Sequence, residues 1–191
     1  MDSVSICNMA LLQLGIGPIT SFEDQNDEAK LCKRLYPVLR DRVLRDHLWS
    51  FATAFYELQE NGETKFSDPE YPFECNCPSD LIRVISLTSG GRYRRIGHTI
   101  LVDELPARLQ YIRRVEDPGE FDVTFTEALQ YLLASEFALA HTRDRNLVNM
   151  LKNEYERKLS VARAIDSQEN IHTHQNRPQR SSWLAARRMG V

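Results

Sequence analysis

The sequence predicts an α+β fold, in which helical segments precede and follow a small antiparallel β unit. Two observations predict the fold, and a third predicts a C-terminal tail. Apolar residues recur at helical spacing before residue 48 and again after residue 121. Between these segments, apolar and polar residues alternate and turn-forming dipeptides are frequent. Residues 170–191 carry no acidic side chain and are predicted to form a flexible, extended basic tail.

The composition limits the class of protein. The chain has 191 residues, of which 42% are hydrophobic and 27% are charged, and these values are typical of a soluble globular protein. No segment approaches the ~18 consecutive apolar residues of a transmembrane helix. The first residues lack the basic region of a secretory signal. We therefore expect synthesis in a cytoplasm and no membrane partner.

The net charge of −3 is unevenly distributed along the chain. Residues 1–169 carry 20 basic and 27 acidic side chains, a net charge of −7. Residues 170–191 carry four arginines, a net charge of +4. An acidic body followed by a basic tail indicates that the two parts have different roles.

Two helices are predicted before residue 48. The first covers residues 3–14, and the second covers residues 28–48 with a bend at Pro37, because proline removes a backbone donor. Both carry apolar residues at the i, i+3, i+4 spacing of a buried helix face. These residues are Cys7, Ala10, Leu11 and Leu14 in the first helix, and Cys32, Leu35, Tyr36, Leu39 and Val43 in the second.

Five or six strands are predicted between residues 49 and 120. Alternation indicates strands around Trp49 to Phe55 and around Phe73 to Cys77, and β-branched residues indicate another over residues 81–87. Residues 92–96 and 99–102 flank Gly97-His98, a pair typical of a type II′ hairpin turn. Residues 109–115 supply the last strand.

Two further helices are predicted after residue 121. Thr124 and Glu127 match a capping box at the start of the first. A short connector over residues 141–145 favours an antiparallel neighbour. The last helix is predicted over residues 144–166, with an ion pair between Glu154 and Lys158.

The segment after the last helix is predicted to need a partner. Residues 171–180 are polar and are expected to be disordered or extended. Residues 181–189 regain amphipathic character, but a helix of about two turns is too short to be stable alone.

Cysteine and histidine spacing does not predict a metal site. Cys75 and Cys77 form a C-x-C pair without a second ligand pair, which favours free buried thiols over zinc. His172 and His174 alone supply too few ligands. We therefore expect neither a metal nor a cofactor.

Two acidic residues are the candidates for acid–base catalysis. Asp46 with His47, or Asp80 with a nearby base, could serve in such chemistry. The alternative interpretation is that Asp80 accepts backbone hydrogen bonds in a turn. We favour the second interpretation and expect no catalytic residue.

Two strings carry a family resemblance: residues 44–52 (LRDHLWSFA) and residues 78–84 (PSDLIRV). Together they resemble the tail tubular protein A family, the head-to-tail adaptors of short-tailed bacteriophages. The resemblance extends through about residue 169, with weaker marks at residues 5–8, 14–15, 111–112 and 121–122. Where the family has an aromatic-rich approach to the Pro-Ser-Asp turn, this chain has Cys75 and Cys77.

The resemblance implies an antiparallel bundle of about four helices formed by residues 1–48 and 121–169, with residues 49–120 inserted as the β unit. It implies a structural virion protein rather than an enzyme. Its copies would form a dodecameric ring at the head–tail junction, between the portal protein and a nozzle similar to tail tubular protein B. The ring would support tail fibres and extend the channel through which DNA passes without specific binding. An acidic wall suits that passage, because Lys and Arg contacts with phosphates create affinity.

The site residues expected from this reading are structural. Trp49, Phe51, Pro78 and Asp80 are expected at the junction between the helices and the β unit. The tail is expected to dock on the portal, since aromatic, Met and Arg side chains are enriched at interfaces. The tail residues concerned are Trp183, Leu184, Arg187, Arg188 and Met189.

Three other functions compete with this one. A head-completion protein of a long-tailed phage would share the helices and meet different partners. A hydrolase acting on surface polysaccharide would use Trp49 and Phe51 to stack on sugar rings. A DNA-binding module would use the Arg187-Arg188 pair, and it is the least favoured of the three.

Overall fold

The computed structural model describes residues 1–62, 66, 68–142 and 144–174, without the side chains of residues 170–174. Within these residues the chain forms four α-helices and two antiparallel sheets of three strands each. The α+β class is therefore confirmed. No helix in this part of the chain is both long enough and apolar enough to span a bilayer.

The first two helices cover Ser3–Leu12 (α1) and Asp27–Asp46 (α2). Each is capped by a side chain that satisfies an unpaired backbone donor of the first turn. Asp2 accepts a hydrogen bond from the backbone N–H of Ser5 at 2.8 Å, and Asn26 accepts one from Ala29 at 2.9 Å. Helix α2 continues through Pro37, so the proline does not break it.

The last two helices cover Val123–His141 (α3) and Arg145–His174 (α4). The Lys158 ammonium lies 2.7 Å from the Glu127 carboxylate. These two residues are about equally far, in opposite directions along the chain, from the segment that connects α3 to α4. Helices α3 and α4 therefore lie side by side and antiparallel, which buries an apolar stripe of α4. The buried side chains of the stripe are Val148, Leu151, Tyr155, Leu159 and Ala162.

The capping box predicted at Thr124 and Glu127 is wrong. The N-cap is Asp122, whose carboxylate accepts a hydrogen bond from the backbone N–H of Thr124 at 2.7 Å. Aspartate is a better N-cap than threonine, and here it stands before the helix begins. Glu127 instead pairs across to α4.

Two predictions about α4 are also wrong. Glu154 pairs with Arg157 at 2.8 Å rather than with Lys158, because Glu127 of α3 takes the lysine. The helix also runs to His174, beyond the predicted end at residue 166, since residues 167–174 contain neither glycine nor proline. The tail therefore does not begin at residue 170, and residues 175–191 lie outside the described part of the chain.

In the described part of the chain six strands follow α2, within the predicted count and within the predicted region. They pair in the orders β1-β6-β3 and β2-β5-β4, with all neighbours antiparallel. The β unit is thus two small sheets. The strands are Thr53–Glu57 (β1), Phe73–Asn76 (β2), Leu81–Leu87 (β3), Tyr93–Ile96 (β4), Thr99–Val102 (β5) and Arg108–Arg113 (β6).

Two strands have bounds that differ from those that the alternation of apolar and polar residues predicts. Trp49 and Phe51 precede β1, and residues Ser50–Ala52 form a 3₁₀ turn in which Ala52 N–H donates to the Trp49 carbonyl at 3.2 Å. Cys77 follows β2 rather than belonging to it. The turn at Gly97 agrees with the prediction, because Gly97 has φ +59° and His98 does not have a positive φ, as a type II′ turn requires.

Two apolar clusters lie on opposite faces of the first sheet. The larger cluster combines side chains of all four helices with Trp49, Ile82 and Ile112. The smaller cluster combines Leu109 and Tyr111 of β6 with side chains of the second sheet. Adjacent residues of β6 point to opposite faces, so this strand contributes to both clusters. The first sheet therefore lies between the helices and the second sheet.

All four cysteines are free thiols, as expected. Cys7, Cys32 and Cys75 are buried, and Cys77 is half-buried. Burial raises the pKa of the Cys75 thiol to about 11 and also raises that of Cys77. These thiols are therefore protonated at neutral pH and poorly reactive.

Candidate functional site

The two strings that carry the family resemblance meet in the structure. The Arg45 guanidinium donates to the carbonyl of Ile82 at 2.8 Å. The Arg83 guanidinium donates to the carbonyl of Arg45 at 3.3 Å. Each string thus supplies a side chain that binds the backbone of the other. We call residues 44–52 and 78–84 together the junction, because they tie the end of α2 to the start of β3.

Trp49 is the buried centre of the junction. Its side chain has 0% exposure, and its indole N–H donates to the carbonyl of Val43 in the last turn of α2 at 2.8 Å. The ring meets His47 and Phe125 edge to face, with centroids 4.9 and 5.1 Å away. A buried indole whose donor is satisfied contributes its full apolar area to packing. It offers no face on which a sugar could stack.

Phe51 extends the same aromatic cluster. Its ring is half-buried and lies 5.1 Å from Phe125 and 6.0 Å from both Trp49 and Phe121. These side chains come from the turn before β1 and from the start of α3. The aromatic cluster therefore packs the start of the β unit against the third helix.

Asp166 ties α4 to the junction. Its carboxylate is 8% exposed and lies 3.0 Å from Nε2 of His47. It also accepts the backbone N–H of Ser50 at 2.9 Å. One buried carboxylate thus orients the imidazole and satisfies the backbone of the 3₁₀ turn, as buried polar groups require.

Asp46 and His47, the suggested acid–base pair, have different partners. Asp46 accepts a hydrogen bond from the Tyr155 hydroxyl at 3.2 Å, and its carbonyl accepts one from Arg163 at 3.3 Å. His47 pairs with Asp166. All three partners belong to α4, more than 100 residues later in the chain. No signal in a single sequence could have identified them.

Pro78 and Asp80 form the turn that leads into β3. Pro78 is buried, and its carbonyl accepts from the N–H of Leu81 at 3.2 Å. The Asp80 carboxylate accepts a hydrogen bond from the Tyr111 hydroxyl at 3.0 Å, so the expected backbone donors are replaced by a side chain. Tyr111 lies on β6, the neighbouring strand, which is why spacing along the chain did not indicate it.

A series of ion pairs near the junction was also not predicted from the sequence. The Arg40 guanidinium is nearly buried and lies 2.8 Å from the Asp41 carboxylate. The other oxygen of Asp41 lies 2.7 Å from Arg114, which follows β6. Such a series of ion pairs fixes α2 relative to the first sheet, since guanidinium groups match carboxylates geometrically.

Ionisation of Tyr111 is expected to lower the free energy of unfolding as the pH rises above ~10. Burial, then the hydrogen bond and charge of Asp80, raise the pKa of Tyr111 to about 12, whereas tyrosine in an unfolded chain titrates near ~10. The folded state holds the phenolic proton more tightly. Its contribution to the free energy of unfolding is therefore complete below pH ~10 and is lost as the pH rises towards ~12.

Spectrophotometric titration checks this expectation. Tyr111→Phe should remove one high-pH ionisation, and Asp80→Asn should lower the pKa of Tyr111 because it removes a neighbouring charge. The exposed Tyr93 of β4 provides the control, since Tyr93→Phe should leave the Tyr111 ionisation in place. Ionisation of Tyr111 at the value for an unfolded chain would contradict its burial.

The predicted portal-binding residues, from Trp183 to Met189, lie outside the described residues. Across the part of the chain that is described, no three His, Cys, Asp or Glu side chains form a group that could hold a metal ion. His172 and His174 belong to the last turns of α4.

Comparison with known proteins gives no family for the chain. No family model matches it, and no curated protein sequence matches it. The adaptor resemblance therefore depends on the two strings of the junction.

Proposed function

We propose that this chain is a structural adaptor that joins the portal to the tail of a short-tailed bacteriophage, in the manner of tail tubular protein A. Its copies form a dodecameric ring between portal and nozzle. The ring extends the DNA channel and supports the tail fibres. The observation that most supports the proposal is the contact between the two strings through Arg45 and Arg83.

The junction uses its polar side chains internally. Asp46 engages Tyr155, His47 engages Asp166, and Asp80 engages Tyr111. Groups committed to partners within the chain serve to fix geometry rather than to bind a substrate. This use suits a protein whose role is to hold other proteins at defined positions.

The layered fold supports contacts with two partners. In the proposal, the helices form an antiparallel bundle that meets one partner, and the two sheets project from it towards another. The main apolar cluster joins all four helices to the first sheet, which makes the helices and that sheet one packed unit. A ring subunit that holds two larger assemblies in line needs such stiffness.

The C-terminal segment supplies the portal contact. Residues 175–191 can span about 60 Å when extended, which is enough to reach a neighbouring assembly. Trp183, Leu184 and Met189 provide apolar anchors, while Arg187 and Arg188 provide charge for an acidic portal surface.

Electron microscopy of the purified chain mixed with its portal tests the proposal. We expect class averages with an added ring coaxial with the portal, absent from portal alone. Addition of the nozzle protein should extend the complex on the far side of that ring. A mixture in which the chain and the portal sediment separately would contradict the proposal.

A further inference from the structure

A groove with a volume of about 400 Å³ lies between α1 and the start of α3. Its rim is unusually apolar, because Met1, Met9 and Val123 are 69%, 44% and 72% exposed. Exposed apolar side chains that line one concave surface indicate a binding site. The lining includes Met1, Met9, Phe121, Val123, Thr126 and Gln130.

Gln130 gives the groove a polar group that lacks a partner. The residue is 8% exposed and lines the groove. Within the described residues, its side-chain amide makes no hydrogen bond. Neither amide atom is among the fully buried side-chain atoms that lack a partner, so solvent reaches the amide and a ligand can bond it. The groove therefore suits a ligand that brings an apolar surface and one hydrogen-bonding group.

We propose that the groove holds the C-terminal segment of the same chain, residues 175–191, through Trp183. An indole combines a large apolar surface with a single N–H donor. The carbonyl oxygen of Gln130 supplies the acceptor that a buried indole N–H needs. The methionines on the rim adapt readily to an aromatic side chain.

Charge favours the same occupant. A 3₁₀ turn, Pro118–Glu120, borders the groove through Pro118 and Gly119. Glu116 and Asp117 are exposed beside it, while Glu120 is paired with Arg113. Residues 175–191 carry four arginines and no acidic residue. The segment and the rim therefore attract each other, and the attraction falls with increasing salt.

The chain is long enough to reach the groove. Glu127 lines the groove and binds Lys158 of α4 at 2.7 Å. From Lys158 to the end of α4 at His174, the helix advances about 24 Å. The nine residues from there to Trp183 span up to about 30 Å when extended. The segment can therefore turn back and place Trp183 in the groove of its own chain.

Portal docking and groove docking use the same tryptophan. The groove contact therefore forms in the free chain, before assembly, where the groove covers Trp183. It does not depend on the adaptor proposal, since it is tested with the purified chain alone and no portal.

Fluorine NMR of the full chain labelled with 5-fluorotryptophan tests this contact. The chain has two tryptophans, Trp49 and Trp183, and Trp183→Phe assigns their resonances. We expect the Trp183 resonance to be shifted from that of a labelled peptide of residues 175–191, equally at all protein concentrations. Val123→Lys and Met9→Lys should return it to the peptide position, because each places a charge at the groove.

Leu139→Lys is the matched control, since Leu139 is 60% exposed near the other end of α3. It should leave the Trp183 resonance shifted, while an unchanged Trp49 resonance shows that each variant is folded. Three outcomes would overturn the proposal. These are a Trp183 resonance at the peptide position in the unmodified chain, a shift that grows with protein concentration and so indicates a second copy, and a shift that survives both groove variants.

Discussion

Trp49→Ala is expected to lower the free energy of unfolding by about 3–5 kcal/mol, the range for removing a large buried aromatic side chain. The indole is fully buried, meets three rings and donates to the Val43 carbonyl. Its loss leaves a cavity where α2, α3 and the start of the β unit meet. Urea unfolding followed by circular dichroism measures the effect.

Two variants calibrate the result for Trp49. Trp49→Phe keeps an aromatic ring and loses the hydrogen bond to Val43, so a clearly smaller loss is expected. Met150→Ala changes a side chain of α4 that is 56% exposed, and it should alter stability by about 0.5 kcal/mol or less. A near-neutral effect of Trp49→Ala would contradict a structural role for the indole.

Deletion of residues 175–191 is expected to abolish stable docking on the portal and to leave the fold intact. The described core ends within α4, and its buried side chains all precede residue 167. The truncated chain should therefore keep its helical circular dichroism signal. Co-sedimentation with portal measures the loss of docking.

Point variants separate the anchor residues from the length of the tail. Trp183→Ala combined with Arg187→Ala should weaken portal docking strongly, because aromatic and arginine side chains dominate interfaces. Gln175→Ala combined with Gln179→Ala, in the same segment, should not. Portal binding that survives the deletion unchanged would refute the anchor role of the tail.

Local patterns predicted the elements of the fold well. The apolar spacing in α1 and α2, the β-branched residues of β3 and the turn at Gly97 are all found as expected. Each of these signals depends on residues close together in the chain. The same signals did not reveal that the strands divide into two sheets, because strand order depends on pairing between distant segments.

Two of the wrong predictions, the capping role of Glu127 and the ion pair of Glu154 with Lys158, share one cause, which is a partner distant in sequence. Glu127 was assigned to a cap and Lys158 to Glu154, yet these two side chains bind each other across 31 residues. Burial of Trp49 at a junction was foreseeable from its local sequence. Its neighbours His47 and Ser50 depend on Asp166, and only the fold brings that carboxylate to them.

Electron microscopy of particles assembled without this polypeptide tests its central role most directly. If the side chains of the junction and the tail serve to join neighbouring assemblies, such particles should be DNA-filled heads that lack tails. Supplying the full chain should restore attachment. Heads that carry normal tails in the absence of the chain would contradict the account.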